Sequence, residues 1–238
     1  MIRSGRDSDT MRFMERAGII SLAVVSILIG SAVPAVAWSN GEEGCNSFGT
    51  HDLILAAALA FSDQTWVMRR VALRATDDPD CKDGIDHASG TWWHVYDRWG
   101  DEWGGADEAA RAWFHRMRDR LEAGNERGAS RALGILAHIV GDVAQPMHTD
   151  SRDREDRIHS SYEDAVDRRV LDYGFVSKGR EAAKPGPRVR RLARNAHESY
   201  FELIRAYDAH GYNSTVDRIT DRQLNRAANA VADLLTSL

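Results

Sequence analysis

Apolar residues recur at three- and four-residue steps along most of the chain from His51 onward, and strictly alternating runs are scarce. The Ala- and Leu-rich stretch from Leu53 through Leu73 predicts a first long helix. Ala109, Ala110, Trp113, Met117 and Leu121 form one buried stripe on a second helix over Ala106 to Ala123, ended by Gly124-Asn125. A third runs from Ser130 to about Val143, with Leu133, Leu136, Ala137 and Val140 apolar and Pro146 closing it. Further helices are expected over Ile158 to Leu171, Val189 to about Ala209 and Ser214 to about Leu235. The pattern predicts an all-α fold, a single-domain multi-helix bundle. Two stretches interrupt it. Asp77 to Trp103 is acidic and aromatic, and loops of that length in a compact domain are usually functional or disordered. Val176 to Arg188 is basic and rich in turn formers; it reads as a solvated connection between helices, with contact to anionic lipid as the alternative.

The first 37 residues follow a different logic. Arg12 and Arg16 precede an apolar run from Ala17 to Val33, which leads to Ala35-Val36-Ala37. This is the layout of a signal peptide over residues 1–37, with cleavage after Ala37; an uncleaved membrane anchor is the alternative. The expected mature domain spans 38–238, starts at Trp38 and is secreted or periplasmic. Its loss of four basic and three acidic residues leaves 27 basic against 33 acidic, a net charge near −6. Such a balance gives no electrostatic reason to expect binding to duplex nucleic acid. In an oxidising compartment Cys45 and Cys81 are candidates for one disulfide, with free thiols or thiolate metal ligands as alternatives.

Candidate chemistry begins with His138 and Asp142, four residues apart and therefore on one helix face amid Leu136, Ile139, Val140 and Val143. A His and an Asp buried together require compensation, from a divalent cation or from a structural hydrogen bond between them. Downstream, His148 ends Gln145-Pro146-Met147-His148, and His159 with Glu163 repeats the four-residue His–carboxylate spacing. Imidazole and carboxylate are usual zinc ligands, and helical bundles hold such ions between facing helices. His94, in Trp92-Trp93-His94-Val95-Tyr96-Asp97, and His51 at the start of the first helix also suit such a site, as does the acidic cluster Asp77-Asp78-Pro79-Asp80. Asp77 and Asp78 read as solvated turn residues, and His87, His115, His197 and His210 lack a convincing partner set.

The stretch Ala132 to His148, with His138-Ile139-Val140-Gly141-Asp142 and Gln145-Pro146-Met147-His148, continuing to His159-Ser160-Ser161-Tyr162-Glu163, resembles the bacterial zinc-dependent phospholipase C family. The resemblance covers about Trp38 to Asp167, and the family's N-terminal Trp matches Trp38. It implies three zinc ions held by Trp38, His51, Asp80, His94, His138, Asp142, His148, His159 and Glu163. Trp38 would share one ion with His148 and His159 or their neighbours in the same cluster, His51 and Glu163 would complete the ligand set, Asp142 or Asp80 would bridge two ions, and His94 and His138 would hold the remaining one. Asp80 would also orient or deprotonate the attacking water. The implied activity is phospholipid hydrolysis with transient membrane-surface contact, and the expected state is a monomer. The related S1/P1 nuclease family shares the fold and cluster but carries Gln-Pro-Leu-His and Asn-x-His-x-x-Trp-Asp segments where this chain differs. A noncatalytic zinc-stabilised binding protein is the third reading.

Overall fold

The computed structural model describes residues 45, 47–99, 102–150 and 158–238, all within the unit Ala35–Leu238. Trp38 and the expected signal peptide lie outside the described residues. Among the described residues nine α-helices follow in order: α1 Thr50–Ala60, α2 Arg69–Arg74, α3 Asp78–Cys81, α4 Ala106–Glu122, α5 Glu126–Ala144, α6 His159–Asp167, α7 Pro185–His197, α8 Tyr200–His210 and α9 Ser214–Leu235. No strand occurs among the described residues, so the all-α expectation holds. The centre is α5, which packs against α4, α2, α7, α9 and α1. Its composition explains that position. From Ala132 to Ala144 only His138 and Asp142 are polar, so the helix is apolar all round and buried on every face.

Several helix boundaries differ from the sequence expectation, each for a local reason. The expected helix from Leu53 to Leu73 is two helices, because α1 stops at Ala60 and the intervening chain is anchored sideways. There, Gln64 Nε2 donates to the Leu235 carbonyl (3.2 Å) and Trp66 Nε1 donates to Gln64 Oε1 (2.7 Å). The expected helix over Val189 to Ala209 starts earlier, with Pro185 in its first turn, where a missing N–H costs nothing. It is then interrupted at Glu198 and Ser199, whose hydroxyl accepts from Arg222 on α9 (2.7 Å). α5 begins at Glu126 because Asn125 caps it, accepting from the Gly128 amide (2.8 Å). α6 ends at Asp167 and is followed by a 3-10 turn, Val170–Asp172.

Both interruptions in the periodicity have definite structure. The acidic one contains α3 and a 3-10 turn, Thr91–Trp93, and a Cys45–Cys81 disulfide closes a 36-residue separation onto the end of α3. Asp77 and Asp78 are not solvated turn residues. Both are buried, and Asp78 receives Lys82 and the Arg131 guanidinium (2.7 Å). The basic interruption is no simple solvated connection, because it lies along α9 on a ladder of side chains one turn apart. Asn225 accepts from the Val176 amide, Asn229 from Lys178, Asp233 from Glu181 and Ser237 from Ala183, at 2.7–3.1 Å. Spacing of four places all four groups on one face of the C-terminal helical run, where they serve the extended chain as a neighbouring strand would.

The close approach of α2 to α5 depends on Gly134. A Cβ there would lie 2.2 Å from the Ala72 carbonyl oxygen and 2.7 Å from the Ala75 Cβ. Alanine is the better helix former by about 1 kcal/mol, yet the contact is with backbone that cannot yield cheaply. Gly134→Ala is therefore expected to destabilise the fold by about 1–3 kcal/mol, against its propensity gain. Urea unfolding checks this, and an unchanged or raised midpoint would contradict the packing argument.

Candidate metal centre

Three of the candidate histidines have their orientation fixed by backbone carbonyls. His138 directs Nδ1 to the Thr76 carbonyl (2.7 Å), His94 directs Nε2 to the Ala88 carbonyl (2.8 Å), and His148 directs Nδ1 to the His94 carbonyl (3.1 Å). A carbonyl only accepts, so the ring nitrogen facing it carries the hydrogen. In a neutral ring the other nitrogen then offers a lone pair. In each case that other nitrogen points into a cluster of further acceptors.

The first cluster surrounds Asp142. Its Oδ2 lies 2.8 Å from His94 Nδ1 and 3.1 Å from His138 Nε2, while its Oδ1 lies 3.3 Å from His51 Nε2. Asp80 approaches from α3, with Oδ1 3.5 Å from His138 Nε2 and 3.6 Å from His94 Nδ1. Its side chain is 26% exposed, whereas those of His51, His94, His138 and Asp142 are below 10%. The second cluster joins the 3-10 turn Pro146–Thr149 to α6. His148 Nε2 lies 3.1 Å from His159 Nε2 and 3.6 Å from Glu163 Oε1, and His159 Nε2 lies 2.9 Å from the same oxygen. Together these make three ligand-like groups: His51, His138 and Asp142; Asp80, His94 and His138; and His148, His159 and Glu163.

A cation fits this donor set on electrostatic grounds. His94 Nδ1 and His138 Nε2 face each other at 3.1 Å, and neutral rings oriented by their carbonyls would present two lone pairs there and towards Asp142. His51 is buried with Nδ1 lacking a hydrogen bond and Nε2 facing only Asp142 Oδ1 at 3.3 Å without a well-formed one, an expensive state for a polar ring that a cation on its lone pair would relieve. Without metal, protons must fill the gap. Burial lowers the His138 pKa, but Asp142 and Asp80 outweigh it and hold that ring well above its ordinary value. Burial likewise opposes protonation of His148, but Glu163 and Asp142 push it up to about 9. Burial would raise Glu163, yet His148 and His159 hold it down to about 2. His51 is the exception: burial and the His138 charge lower it despite Asp142, which leaves its ring neutral and available.

Eight of the nine residues singled out in the sequence thus fall into these groups; the ninth, Trp38, lies outside the described residues. The resemblance left His51 and Glu163 without a particular ion, and the structure gives each a set of neighbours. His51 joins Asp142 and His138, whereas Glu163 stands with His148 and His159. None of His87, His115, His197 and His210 enters a group. Sequence reasoning missed the role of Gln145, which is buried and donates to Glu163 Oε1 (2.7 Å), fixing that carboxylate beside His159. Its position just before Pro146, where the helix must end, was the available signal. Gly141 was also missed: a Cβ there would lie 2.6 Å from His51 Nδ1, so only glycine leaves room for that ring.

No protein-family profile matches this chain, and no curated protein sequence matches it. Solved structures do. Alpha-toxin from the avian strain SWCP of Clostridium perfringens superposes with a TM-score of 0.60 at 15% identity, over 81% of this chain and 65% of that chain. Alpha toxin from Clostridium absonum gives 0.59 at 16% identity, over 79% and 63% respectively. The chain therefore spans just under two thirds of the length of these toxins. At such identities the likeness is one of fold, and in fold this all-helical chain is similar to the clostridial alpha-toxins.

Proposed function

We propose that this chain is a secreted, zinc-dependent phosphodiester hydrolase, acting as a phospholipase C that releases diacylglycerol and a phosphorylated headgroup. The observation that carries the reading is the presence of three His/carboxylate groups, two of them sharing His138, in a fold like that of alpha-toxin. Such donor sets leave coordination positions for water and substrate, unlike closed structural sites rich in Cys. His51, Asp80, His94, His138, Asp142, His148, His159 and Glu163 would hold the ions, with Trp38 as the ninth proposed ligand. Zinc, when bound, supplies Lewis-acid charge that neutralises a phosphate ester and acidifies water.

The chain's own residues contribute position and proton handling. Asp142 offers its two oxygens to different partners, His51 on one side and His94 with His138 on the other, as a bridging carboxylate must. The carbonyls of Thr76, Ala88 and His94 hold three rings in one tautomer, so their facing nitrogens stay available. Asp80 is the most exposed carboxylate of its group and lies on a short helix tethered by the Cys81 disulfide. In this reading Asp80 would accept a proton from water at the cluster's edge.

The zinc-loaded protein is expected to hydrolyse phosphatidylcholine and a soluble chromogenic phosphodiester, and to lose both activities with a chelator. Hydrolysis of single-stranded DNA with none of lipid would transfer the reading to the nuclease type, and full zinc loading without esterase activity would leave a binding module. Gly141→Ala is expected to lower the zinc count by about one ion through displacement of His51, with helical content unchanged. Metal analysis beside circular dichroism checks this, and full occupancy would remove His51 from the ligand set. Zinc binding must expel the proton that His148 holds up to about 9. Affinity should consequently rise as pH climbs from 7 towards 9, with net proton release seen in titration calorimetry in buffers of different ionisation heat. Pure zinc uptake without proton release would contradict the charge state derived for the metal-free site.

A further inference from the structure

Helix α2 carries three arginines, Arg69, Arg70 and Arg74. Arg69 and Arg70 occupy its first turn, the positive end of a helix dipole, where cations are disfavoured. Arg70 and Arg74 are four residues apart and repel each other on one face. All three are exposed, and among the described residues none of their guanidinium groups makes a hydrogen bond or ion pair. They line a cavity of about 410 Å³, with Phe48 and Leu73 as apolar lining and the buried carboxylates of Asp52 and Asp77 also reaching it. Both carboxylates are engaged: Asp52 accepts from the Gly49 amide (3.1 Å) and Asp77 from the Thr76 hydroxyl (3.4 Å). The cavity shares no residue with the three ligand-like groups but adjoins them, since on α1 His51 joins the Asp142 group whereas its neighbour Asp52 lines the cavity.

Two exposed apolar side chains accompany the arginines. Phe48 is 36% exposed, and Met68, directly before Arg69, is 42% exposed. We infer that this face docks on an anionic bilayer, the arginines receiving lipid phosphate while Phe48 and Met68 enter the interface. Guanidinium matches phosphate through paired N–H donors, and apolar groups beside basic ones are the combination that binds anionic lipid surfaces. Charge complementarity must be local, because the whole chain has a net charge of −5 and would be repelled by such a surface. The inference rests on the phospholipase reading for its choice of a lipid surface, and places a second contact beside the proposed reaction site.

The test uses full-length zinc-loaded protein and vesicles of phosphatidylcholine with or without phosphatidylglycerol, read by stopped-flow energy transfer so that binding precedes turnover. Wild type is expected to prefer the phosphatidylglycerol vesicles, and the preference to collapse in high salt. Arg69→Gln/Arg70→Gln/Arg74→Gln should weaken that binding on the order of a hundredfold, each basic side chain near such a surface giving about fivefold. The same variant should keep its rate on the soluble phosphodiester and keep or raise its Tm, since like-charge repulsion is removed; a merely structural role would lower the Tm. Equal binding by the folded variant, or no preference in the wild type, overturns the inference. So does inorganic phosphate binding that the variant loses without any vesicle preference, which would assign the arginines to a free anion. Failure of the phospholipase reading is seen separately, as absence of phosphodiester turnover with vesicle binding intact.

Discussion

An imidazole that gives its N–H to a backbone carbonyl has only a lone pair left for whatever faces its other nitrogen. In this chain three rings are committed in that way, two of them facing each other and Asp142 and the third facing His159 and Glu163. Much of the remaining architecture serves that convergence. The carbonyls of Thr76, Ala88 and His94 belong to the segment between α2 and α4, so this segment must be as well placed as the helices themselves. Its disulfide to Cys45, the buried Asp78 with Arg131, and the amide of Tyr96 donating to the His148 carbonyl (3.0 Å) supply that placement. The loop is long because it has to reach two loci at once.

Helices were legible where one residue pattern dominated. The stripe on α4, the apolar continuity of α5 and the periodicity of α9 each outweighed local exceptions, and their observed ranges lie within a few residues of expectation. The splits at Phe61 and Ser199 were not legible, because their causes are partners far away in sequence: Leu235 for Gln64 and Arg222 for Ser199. The same holds for the segment lying along α9. Its Gly and Pro content signals irregular backbone, but only the fold reveals that Asn225, Asn229, Asp233 and Ser237 meet it.

Within the candidate centre, the four-residue His–carboxylate pairs were visible as helix geometry, and their neighbours could be read from the sequence. Which residues would gather around each pair could not. His51 meets Asp142 across 91 residues of chain, and His94 meets it across 48. Ring orientation was hidden for another reason: it is decided by main-chain carbonyls, which every residue possesses and no side-chain pattern marks. Asp77 and Asp78 looked like surface acids because a run of aspartates next to proline suits a turn, but α3 turns both inward and leaves Asp80 at the edge.

Gly134 and Gly141 lie seven residues apart on α5, two turns along one side, and they leave that side thin where α2 and α1 press against it. A bare stripe of this kind acts as a gauge. Rotating α5 by one residue would bring Leu133 or Ile135 against the carbonyl of Ala72 and Val140 or Asp142 against the ring of His51, and sliding it by one turn would put Ala137 or His138 in those places. His138 and Asp142 therefore keep their depth and azimuth through main-chain contact, and the spacing of the centre is set by how closely three helices can stack.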